Sequence, residues 1–180
     1  GEPLTSRFHP PAEANLEAMI SGDSEQSVLF ASDAGYGFIT HLAELYSKNR
    51  NGKTLLKLSP HCHVLPPLII NNIETSYIAI ITNTGYLLII AAKELPILAR
   101  GKGNKMIQIP PNKSASREEF ISKIALLPSK SSQLMLISGK KQFTLKGNDL
   151  MHYIGKRGQR GHKLPRGLQK LDRVAVNLIA

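Results

Sequence analysis

The sequence predicts an all-β protein, a propeller-like array of about three blades with four strands in each. Short apolar runs alternate with glycine-containing turns along the 180 residues, and few stretches have the period of a long helix. One order of elements occurs three times: an apolar hairpin, an acid–leucine pair, and a loop of glycines and basic residues. A strand-built repeat of about 40–50 residues is typical of arrays in which each repeat forms one sheet.

Three leucines set the boundaries of the repeat. Leu45, Leu95 and Leu150 each follow an acidic residue, at separations of 50 and 55 residues. We therefore predict one domain with four parts: the remnant of a preceding blade at residues 1–20, and blades at residues 21–72, 73–128 and 129–180. Because the chain opens on glycine and not on methionine, we interpret it as a piece of a longer protein.

The remnant and the first blade contain short strands separated by turns. The remnant has strands on either side of a proline pair, because proline cannot donate a ladder hydrogen bond. In the first blade, Gly35 supplies the positive φ that a tight hairpin turn requires. Leu42–Tyr46 is at most one helical turn. The predicted strands are Leu4–Phe8, Asn15–Ile20, Val28–Ser32, Tyr36–His41 and a strand that begins over Leu55–Leu58.

The second and third blades follow the same order. Val64–Ile70 crosses into the second blade, whose hairpin at residues 77–91 has its tip at Asn83–Gly85. The hairpin strands are almost continuously apolar, which predicts burial on both faces. Pro110–Ser116 is a polar connector. Periodicity alone leaves Glu118–Leu127 open between helix and strand, and the repeat favours a strand. The remaining predicted strands are Leu134–Ile137, Gln142–Leu145 and Arg173–Ile179.

The charge is distributed unevenly along the chain. The net charge is +10, but residues 1–44 sum to −6 and residues 45–180 to +16. Such asymmetry indicates a polyanionic partner, and nucleic acid suits it because cations that replace condensed counterions on phosphates gain affinity. The single cysteine, Cys62, excludes an intrachain disulfide and fits a reducing compartment. Tyr77–Ala92 is interrupted by polar residues and is too short for a membrane span.

The basic loops are the candidate DNA-binding site. They occupy one structural place in each repeat, and the glycines beside the cations leave backbone N–H groups open to phosphate oxygens. On a common rim they form a curved cationic track; ordinary solvated loops are the alternative. The candidate DNA-binding residues are Arg50, Lys53, Arg100, Lys102, Lys105, Lys156, Arg157, Arg160, Lys163 and Arg166. With no tryptophan and few aromatics, a stacking platform for single strands is disfavoured, so we expect duplex DNA.

Other kinds of site find little support. Gly52-Lys53-Thr54 ends like a phosphate-binding loop, but the glycine that should open it is replaced by Ser47. His61-Cys62-His63 has no second pair at zinc spacing, and adjacent residues of an extended segment point to opposite faces. His152 and His162 are isolated in the sequence, and we expect them to be exposed. The tyrosines at positions 36, 77 and 86 lie in strand patterns and are expected in the core. No nucleophile–base–acid set is present, so we expect no catalytic residues and no metal site.

Three segments resemble the C-terminal domain of the A subunit of DNA topoisomerase IV, a type IIA topoisomerase family related to gyrase A. They are Ala31–Phe38, Ala99–Lys105 and Lys163–Gln169, in that order and at matching distances. The resemblance covers essentially the whole chain. It implies a β-pinwheel, a propeller-like fold that binds duplex DNA along its basic outer edge. The gyrase loop Gln-Arg-Arg-Gly-Gly-Lys-Gly has no intact copy here, the nearest being Ala99–Gly103. The resemblance therefore implies DNA bending and not tight wrapping.

The resemblance also implies a role within a larger enzyme. The domain would position the transported DNA segment for decatenation, supercoil relaxation and chromosome segregation, as part of an ATP-dependent isomerase. Its partners would be duplex DNA, the rest of topoisomerase IV (two A subunits with two B subunits, A2B2), and a condensin-type chromosome protein. The Mg and ATP of the parent enzyme would be used by other domains or subunits, so no cofactor is expected in this fragment. The location would be cytoplasmic and nucleoid-associated, with peripheral association at the inner face of the membrane.

Two further implications concern the tyrosines and the alternative function. The DNA-cleaving tyrosine of the family lies in the N-terminal part of the full-length protein, so none of the five tyrosines here takes that role. They are Tyr36, Tyr46, Tyr77, Tyr86 and Tyr153. The alternative to DNA binding is a protein-interaction propeller whose basic rim docks an acidic protein or an anionic surface.

Overall fold

The computed structural model describes residues 1–2, 14–49 and 51–177. Within them the chain forms eleven short strands, two 3-10 turns and two five-residue helices. The strands are β1 Ser27–Ser32, β2 Tyr36–His41, β3 Leu68–Ile70, β4 Tyr77–Thr82, β5 Tyr86–Ala91, β6 Asn104–Lys105, β7 Ile121–Leu127, β8 Gln133–Ser138, β9 Lys141–Leu145, β10 His162–Lys163 and β11 Arg173–Asn177. The 3-10 turns are Leu42–Leu45 and Ala92–Glu94, and the helices are α1 Pro111–Ala115 and α2 Gly147–Met151.

The strands form three antiparallel sheets, each built around one hairpin. The first sheet has the order β3-β1-β2-β6, the second β7-β4-β5-β10 and the third β11-β8-β9. The all-β prediction and its three hairpins are confirmed. Gly35 and Gly85, with φ of +94° and +84°, occupy the first two hairpin turns, where residues with a side chain are disfavoured.

The second sheet lies between two hydrophobic cores. Alternate residues of β4 point to opposite faces, so Ile78 and Ile80 pack against the first sheet, whereas Ala79 and Ile81 pack against the third. The strand β5 divides its side chains in the same way. This explains the continuous apolar runs in the sequence, because a strand covered on both faces has no solvent side that requires polar residues.

Each of the first two sheets is completed by strands from later in the chain. Its third strand, β3 or β7, comes just before the next hairpin, and its short fourth strand comes from the basic loop after that hairpin. Thus β6 pairs with β2, with Lys105 opposite Tyr36, and β10 pairs with β5, with Lys163 opposite Tyr86. Each of the first two sheets therefore takes one strand from the blade that follows it, where the predicted blades are residues 21–72, 73–128 and 129–180. Among the described residues, the third sheet has three strands and not the expected four.

Several local predictions differ from the structure. The strand expected over Leu55–Leu58 is reduced to one parallel bridge, between Leu56 and Gly101. The connector Pro110–Ser116 contains α1, which begins with proline at a position where the missing N–H costs nothing. Residues 14–20, which include most of the strand expected over Asn15–Ile20, form no strand. The helix α2 was not predicted. Leu4–Phe8 and the end of the last strand, residues 178–179, lie outside the described residues.

The remaining open assignments are settled by strand partners. The segment Glu118–Leu127 contains β7, as the repeat predicts, and β7 pairs with β4 along its whole length. The acid–leucine pairs mark short helical turns after the second hairpin strand, and Leu95 and Leu150 anchor these turns in the two cores.

A glycine directly precedes each of the short fourth strands β6 and β10, and the need for glycine at this position can be tested. Gly103 has φ +77°, and an added Cβ would overlap the carbonyl of Gly37 in β2. Gly52 has the same φ, but no described atom lies within 4 Å of its Cβ position. We expect Gly52→Ala to lower the free energy of unfolding by about 1–2 kcal/mol, from backbone strain alone. We expect Gly103→Ala to lower it by about 3 kcal/mol, because β6 must also move.

Urea unfolding followed by circular dichroism measures both values. Equal losses in the two variants would show that the close contact between Gly103 and β2 contributes nothing to stability.

Candidate nucleic-acid interface

The three basic loops lie side by side in chain order. We call residues 50–57, 100–108 and 156–163 the first, second and third basic loops. Gly101 N–H donates to Leu55 O at 2.8 Å, and Lys57 N–H donates to Gly101 O at 2.9 Å, which joins the first loop to the second. Gly158 N–H donates to Met106 O at 2.8 Å, which joins the second to the third. Backbone hydrogen bonds thus hold the loops as one continuous strip.

Most of the predicted DNA-binding cations project from this strip into solvent. Arg100, Lys102, Lys156 and Lys163 are exposed, and Lys105 is half-buried. Arg166 is exposed too, but it lies three residues beyond the third basic loop. In a separate contact, the Lys53 ammonium donates to Glu44 O at 2.6 Å and lies 3.8 Å from the Glu44 carboxylate. Arg50 lies outside the described residues.

Two of the predicted cations are engaged within the protein. Arg157 donates from Nη1 to Lys105 O at 2.9 Å, and its backbone N–H donates to the Glu94 carboxylate at 2.7 Å. Arg160 donates from Nη1 to Gln108 O at 2.9 Å. Its Nη2 lies 2.7 and 2.9 Å from the two carboxylate oxygens of Glu119, whose side chain is completely buried. These two arginines connect neighbouring loops, a role that the sequence pattern did not indicate.

Two tyrosines carry cations on their rings. Lys102 Nζ lies 4.0 Å from the centre of the Tyr36 ring, and Arg160 Cζ lies 4.0 Å from the centre of the Tyr86 ring. Lys163 Nζ is 5.8 Å from the Tyr86 ring centre. Tyr36 and Tyr86 are half-buried and belong to neither core, so the prediction that they are core residues is wrong. Tyr77 is also half-buried, but it packs against the second core, as predicted. Such cation–π contacts stabilise an exposed cation by about 0.5–1 kcal/mol and restrict where it lies.

The two cation–tyrosine sites are copies of one unit. Lys102–Lys105 and Arg160–Lys163 share the pattern cation, glycine, any residue, lysine. In both, the glycine has φ near +77° (+77° at Gly103 and +78° at Gly161), and the final lysine pairs with the tyrosine that begins the second hairpin strand. A detectable sequence signal was the Gly-Tyr pair that ends each of the first two hairpin turns, followed much later by this four-residue pattern.

The histidines have different surroundings from those expected. His152 and His162 are exposed but not isolated, since their ring centres lie 4.4 Å apart. Tyr153 meets the His152 ring edge-on at 5.0 Å. Burial, with a smaller contribution from the nearby Asp149 carboxylate, raises the pKa of the Tyr153 hydroxyl. Over the described residues, no group of three or more His, Cys, Asp or Glu side chains is arranged to hold a metal ion, and this includes the segment His61–His63.

This arrangement suits contact with an extended polyanion. The strip presents flexible ammonium and guanidinium groups at several points along one ordered backbone, with glycines that allow close approach. In the described part of the chain, no helix has the length and apolarity to cross a membrane.

Comparisons with known proteins agree on one family. The sequence pattern of the family described as DNA gyrase C-terminal domain, beta-propeller, matches residues 26–61 and 76–114. The chain is 43% identical over 178 residues to the A subunit of DNA topoisomerase 4 from Pseudomonas aeruginosa, covering 99% of this chain and 24% of the relative. It is 39% identical over 177 residues to the Escherichia coli K12 protein of the same name, covering 98% and 23%. The chain thus spans about a quarter of the length of these relatives.

Solved structures have the same fold. The structure of the E. coli ParC C-terminal domain matches with a TM-score of 0.90 and 38% identity, over 98% of this chain and 71% of that domain. A crystal structure of the C-terminal domain of DNA topoisomerase IV matches with a TM-score of 0.74. Its identity is 16%, over 97% of this chain and 54% of the other, so it supports the fold alone.

The raised pKa of Tyr153 predicts a loss of stability in alkaline solution. The neutral phenol is favoured in the folded state, so its contribution is complete below the unfolded pKa of about 10 and is lost as pH rises through the higher folded pKa. We expect the free energy of unfolding to fall more steeply above pH 10 in the unaltered chain than in Tyr153→Phe. Urea unfolding at pH 8 to 11 measures this difference, with Tyr46→Phe, an exposed tyrosine, as the control. Identical pH profiles for Tyr153→Phe and the unaltered chain would contradict the prediction.

Proposed function

We propose that this chain, which belongs to the family of C-terminal domains of DNA topoisomerase IV A subunits, binds duplex DNA along its three basic loops. The observation that carries the proposal is the backbone continuity of the loops. Cations that are separated by about 50 residues in the sequence lie on one hydrogen-bonded strip. A strip of this kind can contact successive phosphates of one duplex, which isolated surface cations do not do.

The chemistry of the strip favours contact with phosphates over reading of bases. Its exposed groups are mostly lysine ammonium groups, which bind phosphate as point charges and have no fixed planar geometry. Within the described residues, no helix is longer than five residues, so the chain has no long helix to enter a major groove. The DNA would therefore be positioned and bent without a preferred sequence.

We extend the proposal to the whole protein of which the relatives are examples. In it, this domain holds the DNA segment that is to be transported, while the cleavage chemistry, ATP and Mg belong to other domains and to the B subunit. The support is the name that the relatives share, which identifies them as the A subunit of DNA topoisomerase 4. The A2B2 stoichiometry, a condensin-type partner and a nucleoid location are supported by the family resemblance alone.

Binding to duplexes of two lengths tests the DNA proposal. We expect the chain to bind duplexes of ~60 base pairs more tightly than duplexes of ~20 base pairs, with a steep salt dependence and no sequence preference, because several loops contact one continuous backbone. Fluorescence anisotropy across a salt series measures the affinity together with the salt slope, by which we mean the steepness with which log K falls as log salt concentration rises. Weak binding that is independent of length, beside one-to-one binding to an acidic protein, would favour the protein-interaction alternative.

Single lysines of the strip test individual contacts. We expect Lys102→Gln and Lys163→Gln each to lower the salt slope by about 0.9 and to weaken binding uniformly across sequences, because each removes one phosphate contact. Lys93→Gln is the matched control, since Lys93 is exposed but lies past the opposite end of β5 from Tyr86 and pairs with Glu74 at 3.3 Å. A salt slope for Lys102→Gln equal to that of the control would show that Lys102 makes no phosphate contact.

A further inference from the structure

The two cation–tyrosine sites have the same backbone but different neighbours. In the first sheet, Asp33 and His63 form a reciprocal pair, with Asp33 N–H donating to His63 O and His63 N–H donating to Asp33 Oδ1, both at 2.9 Å. In the second sheet, Asn83 and Phe120 form the same pair at 3.0 and 2.9 Å. His63 is therefore equivalent to Phe120, and the residue before each is equivalent too. Cys62 in the first sheet takes the place of Glu119 in the second.

At the second site this position holds a buried anion. The Glu119 side chain has no exposed surface and accepts hydrogen bonds from Thr84 Oγ1 at 2.8 Å and from Arg160 Nη2 at 2.9 Å. Arg160 also lies on the Tyr86 ring. These contacts link Thr84, Tyr86 and Glu119 to Arg160 of the third basic loop, and the Glu119 carboxylate balances the charge of Arg160.

At the first site the same four positions surround an open cleft. Ala34, Tyr36, Cys62 and Lys102 replace Thr84, Tyr86, Glu119 and Arg160, and together with Lys105 they line a cleft of about 260 Å³. That volume is several times the roughly 30 Å³ of one water molecule. Lys102 has no carboxylate partner among the described residues, so none of them balances its charge.

We propose that the cleft between Lys102, Lys105 and Cys62 binds a phosphate group, and that Glu119 occupies the equivalent space at the second site as a permanent internal anion. The ligand is a phosphodiester of duplex DNA, an assignment that rests on the proposed function. Arg160 is then a positioning residue that fixes the third loop against the second, and Lys163 is the cation that meets DNA there. The strip thus has one open and one internally occupied phosphate position.

Exchanging the charge at the two equivalent positions tests this. We expect Cys62→Glu to pair with Lys102, to lower the salt slope by about 0.9, and to reduce the loss of affinity between 50 and 200 mM salt by roughly three- to fourfold. Cys62→Gln, of equal size and without charge, should keep the slope. Cys62→Glu in a Lys102→Gln background should lower the slope no further. An unchanged slope in Cys62→Glu would overturn the proposal.

Glu119→Gln is the reciprocal test. The amide still accepts from Thr84, but Arg160, whose side chain is about one-third exposed (32%), loses its balancing charge. We expect the slope to rise by about 0.9, and the rise to disappear in the double variant Glu119→Gln with Arg160→Gln. A folded Glu119→Gln variant with the slope of the unaltered chain would contradict the internal-anion role. Should Glu119→Gln fail to fold, the Cys62 variants decide the question, because Cys62 is only half-buried.

Inorganic phosphate separates this inference from the DNA proposal. If the unaltered chain does not bind DNA, amide shifts of residues 102–105 on titration with inorganic phosphate, absent in Cys62→Glu, would support an anion site and overturn only the proposed function. No shift in the unaltered chain would overturn the site as well.

Discussion

The loop-to-loop hydrogen bonds are the constraint on which the rest of the structure depends. The second and third basic loops each pair with the second strand of the preceding hairpin, and backbone hydrogen bonds join each basic loop to its neighbour. This requires backbone to pass close to backbone, which is why Gly103 and Gly161 stand beside the carbonyls of Gly37 and Leu87. The same strand pairing places Lys105 opposite Tyr36 and Lys163 opposite Tyr86. The pairing that completes the sheets therefore also positions the cations.

The cations of the strip divide into two groups with different roles. Arg157 and Arg160 make directed hydrogen bonds to loop carbonyls, for which a planar guanidinium with several donors is suited. The lysines are mostly exposed and flexible, which suits contact with phosphates whose positions vary along a duplex. The role of Arg160 in the first group requires a buried carboxylate, that of Glu119. Removing a carboxylate from water costs free energy, which only a partner with good geometry offsets.

Much of the fold could be predicted from local patterns, whereas the strand exchange could not. Apolar runs around Gly35 and Gly85 indicate the hairpins, and the acid–leucine pairs mark the turns that follow. The two-residue strands β6 and β10 carry no periodic signal, since their existence depends on a partner far along the chain. The candidate cations lie in the same loops, but the sequence does not show that Arg160 meets Glu119, which is 41 residues away. Tyr36 and Tyr86 were misplaced because strand patterns do not show which end of a strand reaches the surface.

The exchange of strands also has a consequence for how the chain is made. The first hairpin ends at His41, but its sheet lacks its fourth strand until Asn104–Lys105 has been synthesised. Likewise, the sheet of the second hairpin lacks its fourth strand until His162–Lys163 has been synthesised. During translation each sheet therefore keeps one edge unpaired while the next repeat emerges, and unpaired edges promote association between chains. Contacts so distant in sequence also slow folding. A ribosome-bound chain thus holds a sheet that is nearly complete but still needs a segment not yet made.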